Sequence, residues 1–147
     1  MTLPQPSVAL QEQLCFALYS AARAVTARYR PMLDQLGLTY PQFLVLMVLW
    51  EEDDLRVHEV SERLALDSGT MSPLLKRLAA AGLLTRERSA EDEREVRIRL
   101  TDAGRALEAP GCSVSAAMIE VLQLDQQTFT VLKRQLEALT ENVSPSH

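Results

Sequence analysis

Residues Val57 to Leu100 read VHEVSERLALDSGTMSPLLKRLAAAGLLTRERSAEDEREVRIRL, and this stretch decides the fold. Its first half holds two short segments with apolar residues at helical spacing, separated by a turn at residues 65–67. After Gly82 the pattern changes, because residues 84–88 and 95–100 are strand-like runs and the second alternates charged with apolar side chains. Two short helices followed at once by a charged hairpin predict a winged helix-turn-helix over residues 57–100.

Longer helices are predicted on both sides of this unit, from apolar residues that recur at helical spacing and from Gly, Pro and Thr at the expected ends. These are a first helix from Leu10 to about Leu36, a second from Pro41 to about Trp50, a fifth that opens after Thr101 and passes Pro110–Gly111 with a disturbance, and a sixth from about Asp125 to Leu139. We therefore expect a mainly α fold with a small β-hairpin wing, built from six helices in a single domain over residues 1–147.

Composition sets further bounds. A chain of 147 residues that is 47% hydrophobic can bury one core. It shows no leader and no apolar run of membrane-spanning length, so we expect a soluble cytoplasmic protein. Two cysteines far apart argue against a disulfide framework and against a metal cluster. His58 lies beside Glu59, with only His147 elsewhere in the chain, and is interpreted as solvent-facing rather than as a metal ligand. We therefore expect no metal site and no cofactor.

Charge is distributed unevenly along the chain. The net charge is −5, yet residues 68–100 hold seven Lys and Arg against five Asp and Glu. Such a segment can offer one local face to phosphate, although modest charge separation is common in ordinary proteins. The net charge therefore says little about whether the chain binds nucleic acid, and the predicted winged helix-turn-helix is the stronger indication.

The second short helix and the hairpin tip supply the candidate DNA contacts. Small polar residues at the start of that helix let hydroxyl and backbone groups approach base edges, while Lys76 and Arg77 would meet phosphates. At the tip, Arg94 can enter a minor groove with its guanidinium held by Asp92, although a solvated turn between exposed strands explains the same residues. The predicted DNA-binding residues are Ser68, Gly69, Thr70, Ser72, Lys76, Arg77, Arg86, Asp92 and Arg94.

These segments resemble the core of the MarR family of regulators, and the resemblance extends over roughly residues 10 to 140. It is carried by Leu64–Leu78, Gly82–Leu84, Asp92–Glu93–Arg94 and Leu100–Gly104. The resemblance implies a homodimer on a palindromic double-stranded DNA operator, with recognition helices in major grooves and wings in minor grooves. It also implies that residues 8–36 and 102–141 form the dimerisation region, and that the chain is not an enzyme.

Within that family, the first helix is similar to the repressors of organic hydroperoxide resistance. The similarity is carried by Gln13–Ala21, Tyr29–Pro31, Leu38–Gln42 and Leu49–Glu51. It implies that organic hydroperoxide oxidises Cys15 to sulfenic acid, that Tyr29 and Tyr40 hydrogen-bond to this thiol, and that oxidation releases the operator. Tyr19, one helical turn from Cys15, belongs to the same redox-sensing set. Because fourteen residues of helix span about 21 Å, Tyr29 must come from the other subunit to reach Cys15.

Several alternatives stay open at this point. Cys15 and the tyrosines can also be interpreted as structural core residues. Cys112 is either a bystander, with release through a mixed disulfide with a low-molecular-weight thiol or through overoxidation, or a second thiol for the partner's Cys15. The competing functions are a MarR-type repressor released by a small phenolic ligand, a peroxidase, for which the sequence offers no active-site arginine motif, and a helical module that binds no DNA.

Overall fold

The computed structural model describes residues 1–92 and 94–145, so Glu93 of the predicted hairpin tip, Ser146 and His147 lie outside the described residues. The helices are α1 (Leu14–Asp34), α2 (Tyr40–Glu51), α3 (Val57–Leu64), α4 (Ser68–Ala80), α5 (Asp102–Ala106), α6 (Glu108–Leu122) and α7 (Gln126–Val143), and the strands are β1 (Leu55–Arg56), β2 (Leu84–Arg88) and β3 (Val96–Leu100). The chain forms two compact units, residues 1–114 and 115–147.

The predicted hairpin is present and belongs to a three-stranded antiparallel sheet in the order β1-β3-β2. Ile98 lies opposite Arg86 of β2 on one side and opposite Leu55 of β1 on the other. The sequence did not predict β1, because a strand of two residues shows no alternation. This short strand joins the wing to the segment that leads into α3.

One hydrophobic core holds the first unit together. Phe43, Leu46 and Leu49 of α2 are almost fully buried, and Met71 of α4 and Ile98 of β3 belong to the same cluster. The all-round apolar character of the second predicted helix is therefore explained by burial. The helix-turn-helix and the wing share this core and form one packed body.

Local signals set the ends of the helices. Thr39 and Gln42 form a reciprocal capping box at the start of α2. Asp67 caps α4 by accepting a hydrogen bond from the backbone N–H of Thr70 at 2.7 Å. Ala65 ends α3 in the left-handed conformation, with φ of 53°, and this conformation turns the chain towards α4.

Two predicted helix bounds were wrong. Residues 10–12 form a separate 3-10 turn, because Gln13 is extended, and α1 begins only at Leu14. The predicted fifth helix is divided at Leu107 into α5 and α6 rather than at Pro110–Gly111. Pro110 therefore lies in the first turn of α6, where a missing N–H donor does no harm.

Trp50 and two glycines fix the junction between α5 and α6. The indole Nε1–H of Trp50 donates to the carbonyl oxygen of Gly104 at 2.9 Å. A Cβ on Gly111 would lie 2.7 Å from the indole ring of Trp50, and a Cβ on Gly104 would lie 2.1 Å from the carbonyl oxygen of Leu83. Both positions therefore need glycine because neighbouring groups approach the backbone closely.

In the second unit, α7 has its N-terminus capped by the side chain of Asp125, which accepts from the backbone N–H of Thr128 at 2.7 Å. Leu132 and Leu136, one turn apart on α7, are exposed. Among the described residues, no helix is both long and apolar enough to cross a lipid bilayer.

Candidate nucleic-acid interface and thiol site

The N-terminal turn of α4 presents small polar groups outwards. Ser68, Gly69 and Thr70 are exposed, and Ser72 is half-buried. Met71, which lies between them, is fully buried and anchors the helix in the core. Hydrogen bonds from the first turn lower the pKa of the Asp67 carboxyl, and the backbone N–H of Thr70 contributes most. The cap therefore carries its negative charge at neutral pH.

The cationic residues of the predicted interface are all exposed. Lys76 and Arg77 lie in the second half of α4, Arg86 lies on β2 and Arg94 lies at the hairpin tip. Long exposed cations on neighbouring elements of one packed body are suited to phosphate contacts.

The hairpin tip differs from the expectation. Asp92 Oδ1 accepts a hydrogen bond from the backbone N–H of Arg94 at 3.0 Å. Between these two described residues the bond goes to the backbone and not to the guanidinium, because an Asp readily closes a turn onto the residue two positions on. Asp92 therefore shapes the tip, and Arg94 is exposed beyond it.

A charged corner just before β1 is not predicted by the sequence pattern. Asp54 Oδ1 accepts from Arg97 Nε and from Arg99 Nε, both at 3.0 Å, and the carbonyl oxygen of Asp54 accepts from Arg97 Nη2 at 2.8 Å. The preceding Asp53 accepts from the backbone N–H of Leu100 at 2.9 Å. Hydrogen bonds from the two guanidiniums hold the pKa of Asp54 below its ordinary value. These partners are more than forty residues apart in sequence, and no local pattern joins them.

Cys15 lies on the second residue of α1 and is exposed. Its neighbours Leu14 and Phe16 are also exposed, at 65% and 42% of their surface. Tyr19, one turn on, is 60% exposed, and the guanidinium of Arg23 lies 5.5 Å from its ring centre. Within this chain Cys15 is therefore not a buried structural cysteine.

Tyr29 and Tyr40 form a pair at the other end of α1. Their ring centres are 4.6 Å apart, and Tyr29 also lies 6.1 Å from Phe43. Burial raises the pKa of both phenols, and the neighbouring Tyr40 raises that of Tyr29 further. Both phenols are therefore protonated hydrogen-bond donors at neutral pH.

The structure does not bring Cys15 and this tyrosine pair together within one chain. Helix α1 runs without interruption from Leu14 to Asp34, so fourteen residues separate Cys15 from Tyr29 by about 21 Å along its axis. Cys112 is likewise exposed and free, on α6.

A small cavity lies between the second half of α1 and the start of α2. Its volume is about 220 Å³. Thr26, Arg30, Leu33, Asp34, Leu38, Thr39, Tyr40 and Pro41 line it. It carries one cation and one anion, Arg30 and Asp34, and it borders the tyrosine pair.

A helix-turn-helix with its second helix exposed at the N-terminus and a wing beside it defines the class of winged-helix DNA-binding proteins. The family model described as transcriptional regulator SarA/Rot matches residues 27–109. The chain is 42% identical over 134 residues to the organic hydroperoxide resistance transcriptional regulator of Bacillus subtilis, covering 91% of each chain. It is 44% identical over 128 residues to the regulator MgrA of Staphylococcus aureus, covering 86% of this chain and 87% of MgrA.

Solved structures agree. Reduced AbfR bound to DNA, a protein from Staphylococcus epidermidis, has a TM-score of 0.77 and 34% identity, covering 91% of this chain and 94% of AbfR. The chain belongs to the MarR family of transcriptional regulators. Its winged-helix fold class and its resemblance to the hydroperoxide-resistance regulators are thereby confirmed, and its relatives are DNA-binding regulators rather than enzymes.

Proposed function

We propose that this chain is a homodimeric repressor that binds a palindromic DNA operator and releases it when an organic hydroperoxide oxidises Cys15. The observation that carries the proposal is the placement of Cys15. It is exposed among apolar side chains at one end of α1, while the tyrosine pair lies about 21 Å away at the other end. A second copy of the chain in antiparallel register supplies its own Tyr29 and Tyr40 to this thiol.

The chemistry of such a site is a two-electron oxidation. The Cys15 thiolate attacks the terminal peroxide oxygen, the O–O bond breaks, and the sulfur becomes sulfenic acid while the organic fragment leaves as an alcohol after taking up a proton. Phenols that stay protonated can donate hydrogen bonds to the thiolate and favour it over the thiol. The half-buried, protonated pair Tyr29 and Tyr40 fits this role, and Tyr19 lies one helical turn from Cys15 on the same helix.

Exposed apolar surface supports the dimer. Leu14 and Phe16 in the first unit and Leu132 and Leu136 in the second unit are each at least 40% exposed. Surface Leu and Phe residues grouped along helices commonly mark a protein interface. These residues fall in the predicted dimerisation region, residues 8–36 and 102–141.

The relatives favour one route of release over the other. AbfR is described bound to DNA in its reduced form and also in its overoxidized form, and separately in a disulfide form. By analogy, overoxidation alone is compatible with DNA binding. The analogy therefore favours release through a disulfide of Cys15, whose partner we propose to be a low-molecular-weight thiol, with Cys112 as a bystander.

DNA binding is assigned to the surface built from α4 and the wing. Ser68, Gly69, Thr70 and Ser72 are proposed to face bases and phosphates in the major groove, with Lys76, Arg77 and Arg86 on the phosphate backbone. Arg94, on the tip that Asp92 shapes, is proposed to reach the minor groove.

The test is operator binding before and after cumene hydroperoxide, with and without a small thiol, followed by intact mass. We expect the wild type and Cys112→Ser to lose the operator after hydroperoxide and thiol, with one thiol adduct per chain. Cys15→Ser should bind DNA normally and keep it. Release of Cys15→Ser by hydroperoxide would reject the sensor. Release of wild type without an added thiol, together with resistance of Cys112→Ser, would make Cys112 the second thiol.

The cavity beside Tyr40 favours a second candidate, release by a small phenolic acid. Its volume of about 220 Å³ admits a single ring, and Arg30 can bind a carboxylate. Asp34 lines the same cavity and disfavours an anion, which places this candidate second. Release of Cys15→Ser from DNA by a phenolic carboxylate, abolished by Arg30→Gln, is the result that this alternative requires.

A further inference from the structure

The arginines of the wing lie on two different faces of its sheet. In the β2–β3 register Glu87 lies opposite Arg97 and Thr85 lies opposite Arg99, so these side chains share one face. Arg86 lies opposite Ile98 and belongs to the other face. Successive side chains of a strand point to opposite sides, so the two sets of arginines would reach different phosphates.

The face that carries Arg97 and Arg99 is bonded to the corner before β1. The Asp54 carboxylate accepts hydrogen bonds from the Nε–H groups of Arg97 and Arg99, and the carbonyl oxygen of Asp54 accepts a further bond from Arg97. Beside them, Arg56 Nη1 donates to Glu95 Oε1 at 3.0 Å. The arginines on this face of the wing are therefore paired with carboxylates of the protein itself.

Asp54 is held in place independently of the arginines. Its φ of 57° is left-handed, a conformation that Asp and Asn tolerate better than other side chains that carry a Cβ. Its backbone N–H donates to Asp53 Oδ1 at 2.8 Å, and the next residue, Leu55, pairs with Ile98 in the sheet. The backbone conformation of residues 54–55 therefore holds the Asp54 carboxylate next to β3.

We propose that Asp54 is a positioning residue, which keeps Arg97 and Arg99 off the DNA phosphate backbone so that Arg86 and the tip carry the wing's contacts. The inference rests on the proposed role of the wing in DNA binding. Phosphate contacts strengthen binding to every sequence alike. Each one makes the negative slope of log K against log salt concentration steeper by about 0.9. Two withheld arginines therefore weaken binding to random DNA and make it less dependent on salt concentration.

The experiment measures binding of the full chain to a random duplex over a range of salt concentrations. Asp54→Asn keeps a residue that accepts the left-handed conformation and removes the charge. We expect its salt slope to steepen by about 1 to 2 over wild type, with tighter binding to random DNA. Glu51→Gln removes the same charge from the exposed end of α2 and should leave the slope at the wild-type value.

A triple variant and a wing variant complete the test. Adding Arg97→Gln and Arg99→Gln to Asp54→Asn should return the slope to the wild-type value, with urea unfolding confirming that each variant is folded. Equal slopes for Asp54→Asn and Glu51→Gln would overturn the inference, and so would a triple variant that stays steep. Arg86→Gln should flatten the slope by about 0.9. If Arg86→Gln leaves the slope unchanged, the proposed wing contact is wrong and the inference about Asp54 fails with it. If Arg86→Gln flattens the slope while Asp54→Asn has no effect, only the inference about Asp54 fails.

Discussion

The group nearest to a Cβ placed on Gly104 is backbone, the carbonyl oxygen of Leu83, with the side chain of Leu100 next. The carbonyl oxygen of Leu83, 2.1 Å from a Cβ placed there, accepts the backbone N–H of Thr101 at 3.1 Å, so its withdrawal would break the junction of the wing with α5. We expect Gly104→Ala to lower the free energy of unfolding by about 1–3 kcal/mol or more. Urea denaturation at pH 7 measures it.

Ala103→Ser is the matched control for this prediction. It changes an exposed neighbour on the same short helix and should shift stability by no more than about 0.5 kcal/mol. Equal stability of the Gly104→Ala variant and this control would show that the junction relaxes freely.

The raised pKa values of Tyr29 and Tyr40 predict how folding stability changes at alkaline pH. Burial raises the pKa of Tyr29 and Tyr40 in the folded chain, so above about pH 10 the unfolded chain loses these protons first. Stability should therefore be intact below pH 10 and fall as pH rises towards the folded pKa. Tyr29→Phe and Tyr40→Phe should each show a shallower decline in urea midpoints between pH 9 and 11. A decline as steep as that of the wild type would contradict the assigned burial effect.

The sequence predicts the burial of side chains where the pattern is local, and it misses ion pairs whose partners are distant in the chain. The burial of Met71, Leu74, Leu75 and Leu78 between exposed polar residues follows from helical spacing alone. The pairing of Arg97 and Arg99 with Asp54 does not, because it depends on a corner that folds back on the sheet from more than forty residues away.

The start of α4 is sensitive to acid through its capping carboxylate. Hydrogen bonds lower the pKa of its cap Asp67, so below about pH 4 the unfolded chain takes up the proton first and stability falls with pH. Asp67→Asn keeps a capping side chain that does not titrate. We expect it to match the wild type near pH 7 and to lose less stability between pH 5 and 3, measured by urea unfolding.

Asp67→Ala provides the contrast. It removes the cap and should be less stable than both other chains at neutral pH as well. If Asp67→Asn and the wild type decline equally in acid, the carboxyl contributes nothing to the acid dependence of folding.

Element types were predicted better than element ends. Helices α2, α3 and α4 and the hairpin follow from periodicity, with bounds within a residue or two. The division at Leu107 could not be predicted, because its cause is tertiary. The indole of Trp50 donates a hydrogen bond to α5 at Gly104 and packs against α6 at Gly111. It thereby holds α5 and α6 as separate helices where the sequence pattern predicts a single helix.

For the molecule as a whole, the main prediction concerns association. Leu132 and Leu136 are exposed on one face of α7, and Glu at both positions would place two charges in the proposed dimer interface. We expect the wild type to sediment at twice the 16.4 kDa of one chain and the double variant to sediment as a monomer with weakened operator binding.

Gln135→Glu adds a charge to an exposed polar position of the same helix and should leave the dimer intact. A dimeric Leu132→Glu/Leu136→Glu variant would show that α7 does not contribute to association, and the proposed interface would need another helix.

The single tryptophan of this chain also equips it with an intrinsic optical probe. Indole emission is sensitive to hydrogen bonding and to collisions with neighbouring groups, and here the ring is wedged where the helices after the wing begin, 5.9 Å from the ring centre of Phe43. Any rearrangement that loosens that wedge when the sulfur near the N-terminus is oxidised should register as a change in emission wavelength. The timing of the response could then be followed in solution without attaching a dye.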